Sequence, residues 1–296
     1  MTAKPWHGIV VATSTPFRED LSLDLDSVQD HVAWLAANGC HGVTPAGSVG
    51  EYQVLSATER QDLVKATVEA APEGFSVVPG VSAYGGDEAL RWAEAAAEAG
   101  ADAVLCQPPN SYRADAHDVI AHFKMVARAG LPIVAYNNPT DNRVDLAPEM
   151  LLRVADAVPE VVAVKDFSGD VTRAYQIRAL TPHIDLIAGM DGVVVELLLA
   201  GAVGWLAGFP NSLPRLCAKL YEAALTGDLA TALPIYQAVH LLFRWDAHHH
   251  FVQAIKASMD AAGRYGGPVR LPRLPLDAAT EEEIRALTRE LSELPV

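Results

Sequence analysis

Residues 161–188 read VVAVKDFSGDVTRAYQIRALTPHIDLIA and contain the unit from which the rest of the fold can be predicted. Val161–Lys165 is an apolar run of the length of a buried strand, and a polar turn that contains glycine follows it. Val171–Thr181 has the length and period of a helix, and Leu186–Ala188 is a second short apolar run. Two such strands joined by a helix predict a parallel β-α-β unit.

The same alternation of strand and helix occurs eight times along the chain. The predicted strands are Gly8–Thr13, Gly42–Thr44, Ser76–Pro79, Ala103–Cys106, Pro132–Tyr136, Val161–Lys165, Leu186–Ala188 and Val203–Leu206. The helices predicted after them are Leu25–Asn38, Ala57–Ala71, Asp87–Ala99, Ala114–Arg128, Leu146–Asp156, Val171–Thr181, Gly192–Ala200 and Leu213–Leu225. Eight such units predict an α/β fold in the form of a closed (β/α)8 TIM barrel, with a doubly wound open sheet as the alternative.

The chain after the eighth unit has a helical pattern only, over Leu229–Phe243, Phe251–Ala262 and Thr280–Leu294. Glycines and prolines separate the last two of these helices. We therefore predict a (β/α)8 barrel domain over residues 1–226 and a C-terminal helical extension over residues 227–296 that has no function of its own.

The composition narrows the class of protein. The chain has 296 residues, of which 50% are hydrophobic and 20% are charged. It contains no apolar run long enough to cross a membrane and no basic-then-apolar leader, so a cytoplasmic protein is expected. The formal net charge of −15 argues against nucleic acid or an anionic membrane as a partner. Cys40, Cys106 and Cys217 lie far apart without a CxxC motif, so neither a disulfide framework nor a zinc site is indicated.

Lys165 is an unusual residue to end a buried strand. Burial beside an apolar core disfavours the charged form of an amine, so part of this amine should be neutral near pH 7 and able to attack a carbonyl carbon. The alternative is a lysine whose ammonium group simply reaches the solvent from a strand end. From this residue alone, the two interpretations are about equally supported.

Polar groups follow several other predicted strands, and the carboxyl ends of barrel strands meet at one rim. The second strand leads into Pro45-Ala46-Gly47-Ser48-Val49-Gly50-Glu51, whose backbone N–H groups and hydroxyl suit a carboxylate. The fifth strand delivers Tyr136, whose phenol can carry protons. The seventh leads to Gly189-Met190-Asp191. An amine, a phenol and a loop that can bind an anion lie on one predicted rim. This combination favours a Schiff-base enzyme in which Lys165 and Tyr136 are catalytic.

These motifs occur in order, at the spacing of successive barrel strands. Together they resemble those of the dihydrodipicolinate synthase and N-acetylneuraminate lyase superfamily of class I aldolases, and the resemblance extends from about Trp6 to Pro275. The residues that carry the resemblance are Gly47-Ser48-Val49-Gly50-Glu51, Tyr136-Asn137-Asn138-Pro139, Val164-Lys165-Asp166 and Gly189-Met190-Asp191. The resemblance implies a (β/α)8 barrel with a C-terminal helical domain, usually assembled as a tetramer that is a dimer of dimers. It also implies an imine between Lys165 and the keto carbon of pyruvate or of a longer 2-oxo acid.

Roles for the other residues follow from the same resemblance. Tyr136 would relay protons, and Ser48 with the adjacent amides would hold the substrate carboxylate. The partners implied are a small 2-oxo acid and further copies of the chain, with neither a cofactor nor a metal ion. The substrate-binding residues that we expect are Gly47, Ser48, Val49, Gly189, Asp191 and Leu206.

The chain departs from the biosynthetic synthase of this superfamily in its proton relay. That synthase has Gly-Thr-Thr-Gly-Glu in the loop after the second strand, and the second threonine works with a tyrosine from a neighbouring subunit. Val49 stands at the threonine position here and can neither donate nor accept a hydrogen bond through its side chain. The tyrosine aligns near Ser111, with Tyr112 one place off.

A second departure concerns the group that binds the second substrate. The synthase has an arginine two residues after the proline of its Tyr-Asn-x-Pro motif, and this arginine binds a carboxylate. Asp141 occupies the position here, and Arg143 is an alternative cation two positions later. These departures favour cleavage or dehydration of a hydroxylated 2-oxo acid. The alternatives are the synthase reaction of pyruvate with aspartate semialdehyde and, in another class, a non-catalytic 2-oxo acid sensor.

Three other features have competing interpretations. His248-His249-His250 suggests a metal site, but consecutive residues of a helix point about 100° apart, which favours a solvated or interface cluster. Glu51 is interpreted as an acceptor for loop amides rather than as a general base. Asp246 and the histidines are expected to begin a C-terminal helix near the site, where a substrate contact is the less favoured interpretation.

Overall fold

The computed structural model describes residues 4–109 and 112–295, so that Ser111 lies outside the described residues. The strands are β1 (Gly8–Ala12), β2 (Gly42–Thr44), β3 (Ser76–Val77), β4 (Val104–Cys106), β5 (Ile133–Asn137), β6 (Val161–Asp166), β7 (Asp185–Ala188) and β8 (Gly204–Ala207). The helices that alternate with them are α1 (Leu25–Ala37), α2 (Ala57–Ala70), α3 (Gly86–Ala99), α4 (Ala116–Ala127), α5 (Pro148–Ala157), α6 (Val171–Leu180), α7 (Val194–Leu199) and α8 (Pro214–Thr226).

The strands form a parallel sheet in the order β3-β2-β1-β8-β7-β6-β5-β4. Beyond the end of β3, the chain pairs with β4 through a parallel bridge between Gly80 and Leu105. There the Val81 amide donates to the Leu105 carbonyl, and the Leu105 amide donates to the Pro79 carbonyl, both at 2.9 Å. This pairing closes the ring, so the predicted (β/α)8 barrel is confirmed and the open sheet is excluded.

Four predicted helix starts differ by two residues from those observed, and two of these differences have an identifiable reason. Helix α5 begins at Pro148 rather than at Leu146, because the Leu146 amide donates to Asn137 Oδ1 at 2.9 Å and proline suits a first helical position. Helix α7 begins at Val194, since Asp191–Val193 form a short 3₁₀ turn. Among the helices of the described residues, none is both long and apolar enough to cross a membrane.

The C-terminal segment folds back onto the barrel. It contains α9 (Leu229–Phe243), a 3₁₀ turn at Arg244–Ala247, α10 (Phe251–Ala261) and α11 (Ala278–Ser292). Its division from the barrel at residue 227 stays a prediction. Lys256 of α10 is buried and reaches the barrel loops, where its Nζ lies 2.9 Å from Glu51 Oε1 and donates to the Thr15 carbonyl. The expectation that Glu51 serves the amides of its own loop was therefore wrong, because its carboxylate fastens the C-terminal segment instead.

Candidate active site

A cavity of about 200 Å³ lies at the carboxyl ends of the barrel strands. Of the eight residues predicted for the site, seven line it, and they are Lys165, Tyr136, Gly47, Ser48, Val49, Gly189 and Leu206. Asp191 does not line it and is fully buried. Its Oδ1 accepts from Trp205 Nε1 at 2.9 Å, and its Oδ2 accepts from the Phe209 amide at 3.2 Å. The prediction that Asp191 binds substrate directly was wrong, because both oxygens already serve the protein.

Lys165 and Tyr136 are neighbours across β6 and β5, paired in the strand register. The Lys165 side chain is buried, and its Nζ lies 4.3 Å from the centre of the Tyr136 ring. Burial lowers the pKa of Lys165 to about 8, although the carboxylates of Asp246 and Asp191 partly oppose this effect. A useful fraction of the amine is therefore neutral near pH 7 and can attack a carbonyl carbon.

Gly189 leaves room for the lysine side chain. A Cβ atom at this position would lie 2.4 Å from the Asp166 carbonyl oxygen and 3.1 Å from Lys165 Cε. Any side chain here would collide with the backbone of β6 and press on the amine-bearing chain. Packing against Lys165 thus explains the glycine, and its contact with a substrate stays a prediction.

The hydroxyl of Tyr136 is held by Asn138, which Asp141 orients, in the loop that follows β5. Asn138 Nδ2 donates to the Tyr136 hydroxyl at 3.2 Å and to Asp141 Oδ2 at 2.8 Å. In return, the Asp141 amide donates to Asn138 Oδ1 at 3.2 Å. Asp141 therefore orients Asn138, and Asn138 leaves the phenolic proton of Tyr136 available to a substrate. Burial raises the pKa of Tyr136, so the phenol stays protonated near neutrality.

The loop between β2 and α2 provides hydrogen-bond donors on the opposite part of the cavity wall. Ala46 and Glu51 adopt left-handed backbone conformations, with φ of 54° and 53°, which non-glycine residues rarely do and which fix the path of the loop. Within the described part of the chain, the amides of Gly47, Ser48 and Val49 donate no hydrogen bond. These amides and the Ser48 hydroxyl can receive a carboxylate without any formal positive charge.

Replacing Ser48 with alanine should weaken the binding of pyruvate by roughly 0.5–3 kcal/mol, the range from a neutral to a charge-assisted hydrogen bond. The backbone amides would remain, so binding should persist at reduced affinity. The measurement is the pyruvate concentration that gives half-maximal labelling with borohydride, in wild-type and variant protein. An unchanged concentration would place the carboxylate elsewhere in the cavity.

The side chains considered as replacements for the missing relay and clamp lie outside the cavity. Arg143 is exposed and does not line it, and neither does Tyr112, whose side chain is also exposed. Arg60 and Arg273 line an adjoining cavity of about 450 Å³. Among the described residues that line the first cavity, Lys165 is therefore the only lysine or arginine.

The argument from helical spacing against a metal site at His248-His249-His250 was wrong. His248 has an extended backbone and α10 begins only at Phe251, so the three residues form a turn and not a helix. Their ring centres lie 4.0–5.3 Å apart, and potential ligand atoms of the three side chains lie within 4.8 Å of one another. His248 and His249 line the cavity mouth.

Sequence reasoning gave no role to Thr44 or Asn138 and little weight to Asp246, and all three line the cavity. Thr44, at the end of β2, lines the cavity, and its buried hydroxyl has no hydrogen-bond partner among the described residues. Asn138 was part of a recognised motif, but nothing in the sequence showed that it holds Tyr136. Asp246 also lines the cavity, although it lies 81 positions after Lys165 in the chain. A charged residue in a C-terminal turn was the only available signal for it.

Comparison with known proteins gives consistent results over nearly the whole chain. A profile of the dihydrodipicolinate synthetase family matches residues 5–291. The 4-hydroxy-tetrahydrodipicolinate synthase of Methanospirillum hungatei JF-1 is 33% identical over 291 residues, covering 97% of this chain and 99% of that protein. An uncharacterized DapA-like lyase of Rhizobium meliloti is 32% identical over 295 residues, covering 97% and 96%.

Solved structures agree with the sequence comparisons. The chloride-inhibited dihydrodipicolinate synthase of Acinetobacter baumannii, complexed with pyruvate, superposes with a TM-score of 0.92 at 27% identity. The match covers 97% of this chain and 99% of that one. The dihydrodipicolinate synthase of Aquifex aeolicus gives a TM-score of 0.92 at 25% identity, with coverage of 97% and 98%.

Proposed function

The chain belongs to the dihydrodipicolinate synthetase family of Schiff-base lyases, and we propose that it acts on pyruvate or a hydroxylated 2-oxo acid bound as an imine on Lys165. The observation that carries the proposal is the buried Lys165 amine, with a pKa lowered to about 8, inside a cavity whose loop amides have no acceptor among the described residues. The reaction makes or breaks a carbon–carbon or carbon–oxygen bond of the bound acid. Aldol cleavage or condensation and dehydration are the two forms it can take.

The Gly47–Val49 loop, Lys165 and Tyr136 have separate parts in this reaction. The amides of the Gly47–Val49 loop and the Ser48 hydroxyl hold the carboxylate, so that the neighbouring keto carbon faces Lys165 Nζ. The amine adds to that carbon, and the oxygen leaves as water after protonation, for which the Tyr136 phenol is the donor. The protonated imine then accepts the electron pair released when a bond at the next carbon breaks. Borohydride reduction of this imine in the presence of pyruvate tests the proposal, because it adds covalent mass to the protein.

A specific observation favours a second candidate function, 4-hydroxy-tetrahydrodipicolinate synthase. Several curated relatives at about 33% identity carry this name, and these names support the synthase more than the broader proposal. The chemistry of the cavity argues the other way. Asp141 and Val49 line it where the synthase has an arginine and a threonine, and Arg60 and Arg273 line the adjoining cavity instead.

Condensation of pyruvate with aspartate semialdehyde should therefore be slow. Loss of a charge-assisted contact of about 1.5–3 kcal/mol lowers kcat/KM roughly ten- to hundredfold, and the broken relay lowers it further. A coupled assay with aspartate semialdehyde measures this value beside those for pyruvate with hydroxylated aldehydes. A kcat/KM above about 10⁴ M⁻¹s⁻¹ for aspartate semialdehyde would contradict this expectation and assign the chain to lysine biosynthesis.

Two further properties are proposed from the family alone. These are a cytoplasmic location and a homotetramer built as a dimer of dimers. Light scattering on the purified protein measures its mass in solution. A monomer at the working concentration would contradict the tetramer.

A further inference from the structure

The 3₁₀ turn at Arg244–Ala247 brings a carboxylate into the barrel mouth. Asp246 of this turn lines the same cavity as Lys165 and is only 7% exposed. The C-terminal segment that carries it is fastened to the barrel loops by the buried ion pair between Lys256 and Glu51. Asp246 is thus a fixed part of the cavity wall, supplied by the segment that was predicted to have no function of its own.

The two oxygens of Asp246 differ in their surroundings. Oδ2 accepts a hydrogen bond from the Asp191 amide at 3.0 Å, which fixes the orientation of the carboxyl group. Oδ1 receives no hydrogen bond from residues 4–109 or 112–295. It lies beside Gly208, another lining residue, where an added Cβ atom would be 3.3 Å away. A side chain more than nine-tenths buried therefore presents, at the cavity wall, one oxygen that is unpartnered among the described residues and that a molecule bound in the cavity can satisfy.

The charges around the cavity indicate which group that molecule presents. Asp141 and Asp246 line it, and Lys165 is its one lysine or arginine among the described lining residues. Once Lys165 is covalently bound to the substrate, a further carboxylate would face an acidic wall. A hydroxyl group, which can donate its proton to a carboxylate, suits this wall better.

We propose that Asp246 is a catalytic residue that exchanges a proton with the oxygen on C4 of the substrate, two carbons beyond the imine carbon. In cleavage, Oδ1 accepts the proton of the C4 hydroxyl, and C4 becomes an aldehyde carbon. The C3–C4 bond breaks, and its electron pair moves into the protonated imine to give the enamine on Lys165. In condensation, the same proton returns to the aldehyde oxygen as the C3–C4 bond forms. No other reactant is needed, and the inference rests on the proposed function because it requires the imine.

The electrostatic surroundings suit this exchange better at Asp246 than at Tyr136. Burial and the charge of Asp191 raise the pKa of Asp246, whereas Lys165 lowers it. A carboxyl group with a raised pKa can hold a proton and donate it to a reacting oxygen. The raised pKa of Tyr136 instead keeps its phenol protonated, so it is a poor acceptor for a hydroxyl proton. The two groups thus divide the proton transfers, with Tyr136 at the imine and Asp246 at C4.

Asp246→Asn separates enamine formation on Lys165 from proton exchange at the C4 oxygen, because forming the enamine from pyruvate requires no C4 oxygen. The variant should still be labelled by borohydride with pyruvate and should still exchange the C3 protons of pyruvate for deuterium, at rates no lower than wild type, because loss of the Asp246 charge lowers the pKa of Lys165 further. Condensation of pyruvate with acetaldehyde, glycolaldehyde or glyceraldehyde should fall by about 10²–10⁴-fold, as should cleavage of 4-hydroxy-2-oxopentanoate. Asp246→Glu, which keeps the acid, should recover part of the loss. Asp62→Asn, on the exposed face of α2, is the matched control and should behave as wild type.

Each other outcome is decisive. Equal losses of deuterium exchange and condensation in Asp246→Asn would show that Asp246 only positions Lys165, which overturns the inference. Full condensation by the variant overturns it as well, and so does wild-type protein that exchanges the C3 protons but joins pyruvate to none of these aldehydes. Wild-type protein that borohydride and pyruvate fail to label would overturn the proposed function itself.

Discussion

Replacing Lys165 with alanine should abolish both turnover and covalent labelling by borohydride and pyruvate. The amine is the nucleophile in the proposed mechanism, and loss of a covalent nucleophile commonly lowers kcat by on the order of 10⁴-fold or more. The substitution removes a buried amine that has no ion pair with the described residues, so the barrel should remain folded. Intact-protein mass spectrometry after reduction measures the labelled fraction.

The control for this prediction is Lys124→Ala, in the exposed part of α4, which should be labelled as wild type is. Labelling of Lys165→Ala at the wild-type yield would show that another amine forms the imine. The remaining candidates are Lys4, Lys65, Lys124, Lys219 and Lys256.

The rate of labelling should also depend on pH in a direction that the pKa of Lys165 fixes. Only the neutral amine attacks a carbonyl carbon, and the pKa of Lys165 is lowered to about 8 by burial. The rate should therefore rise as the pH increases towards 8 and level off above it. An ordinary lysine would still gain rate well above pH 9, because its pKa is about 10.4. A profile of the second kind would contradict the lowered pKa.

The parts of the site that could be predicted from the sequence are those that a strand end determines locally. Lys165 and Tyr136 each end an apolar run, and in a parallel barrel the carboxyl ends of such runs lie at one rim. The order of the strands makes β5 and β6 neighbours, whereas the pairing of the two residues also depends on a shift of register between Ile133 and Val134. Periodicity and chain order were sufficient for this much, without any knowledge of side-chain contacts.

The residues that were missed depend on contacts that chain order does not reveal. Asp246 reaches the cavity only because the C-terminal segment folds back over the barrel and is held there by Lys256. Asp191 was wrongly predicted to bind the substrate. Its two carboxylate oxygens instead accept hydrogen bonds from Trp205 and Phe209, which lie on the next strand and in the loop after it. Asp141 was interpreted only as a missing arginine, whereas in the structure it orients Asn138.

Replacing Tyr136 with phenylalanine should lower kcat by about 10²–10⁴-fold, the usual contribution of a positioned proton donor. Phenylalanine keeps the ring that packs 4.3 Å from Lys165 Nζ and removes only the hydroxyl. That hydroxyl accepts a single hydrogen bond from the described residues, from Asn138, so the variant should lose only about 0.5–1.5 kcal/mol of stability. Steady-state kinetics and a thermal unfolding curve give the two quantities.

Labelling with borohydride distinguishes proton transfer from a structural role for Tyr136. Because the Lys165 amine is retained, Tyr136→Phe should still be labelled with pyruvate, but more slowly, since water must replace the phenol as the proton donor during imine formation. Tyr175→Phe, at an exposed position of α6, removes a hydroxyl far from the cavity and should match wild type in every measurement. A Tyr136→Phe variant with full activity would remove Tyr136 from the mechanism. Slow labelling together with a much lower kcat would instead place the phenol at the imine, as its position beside Lys165 and its protonated state lead us to expect.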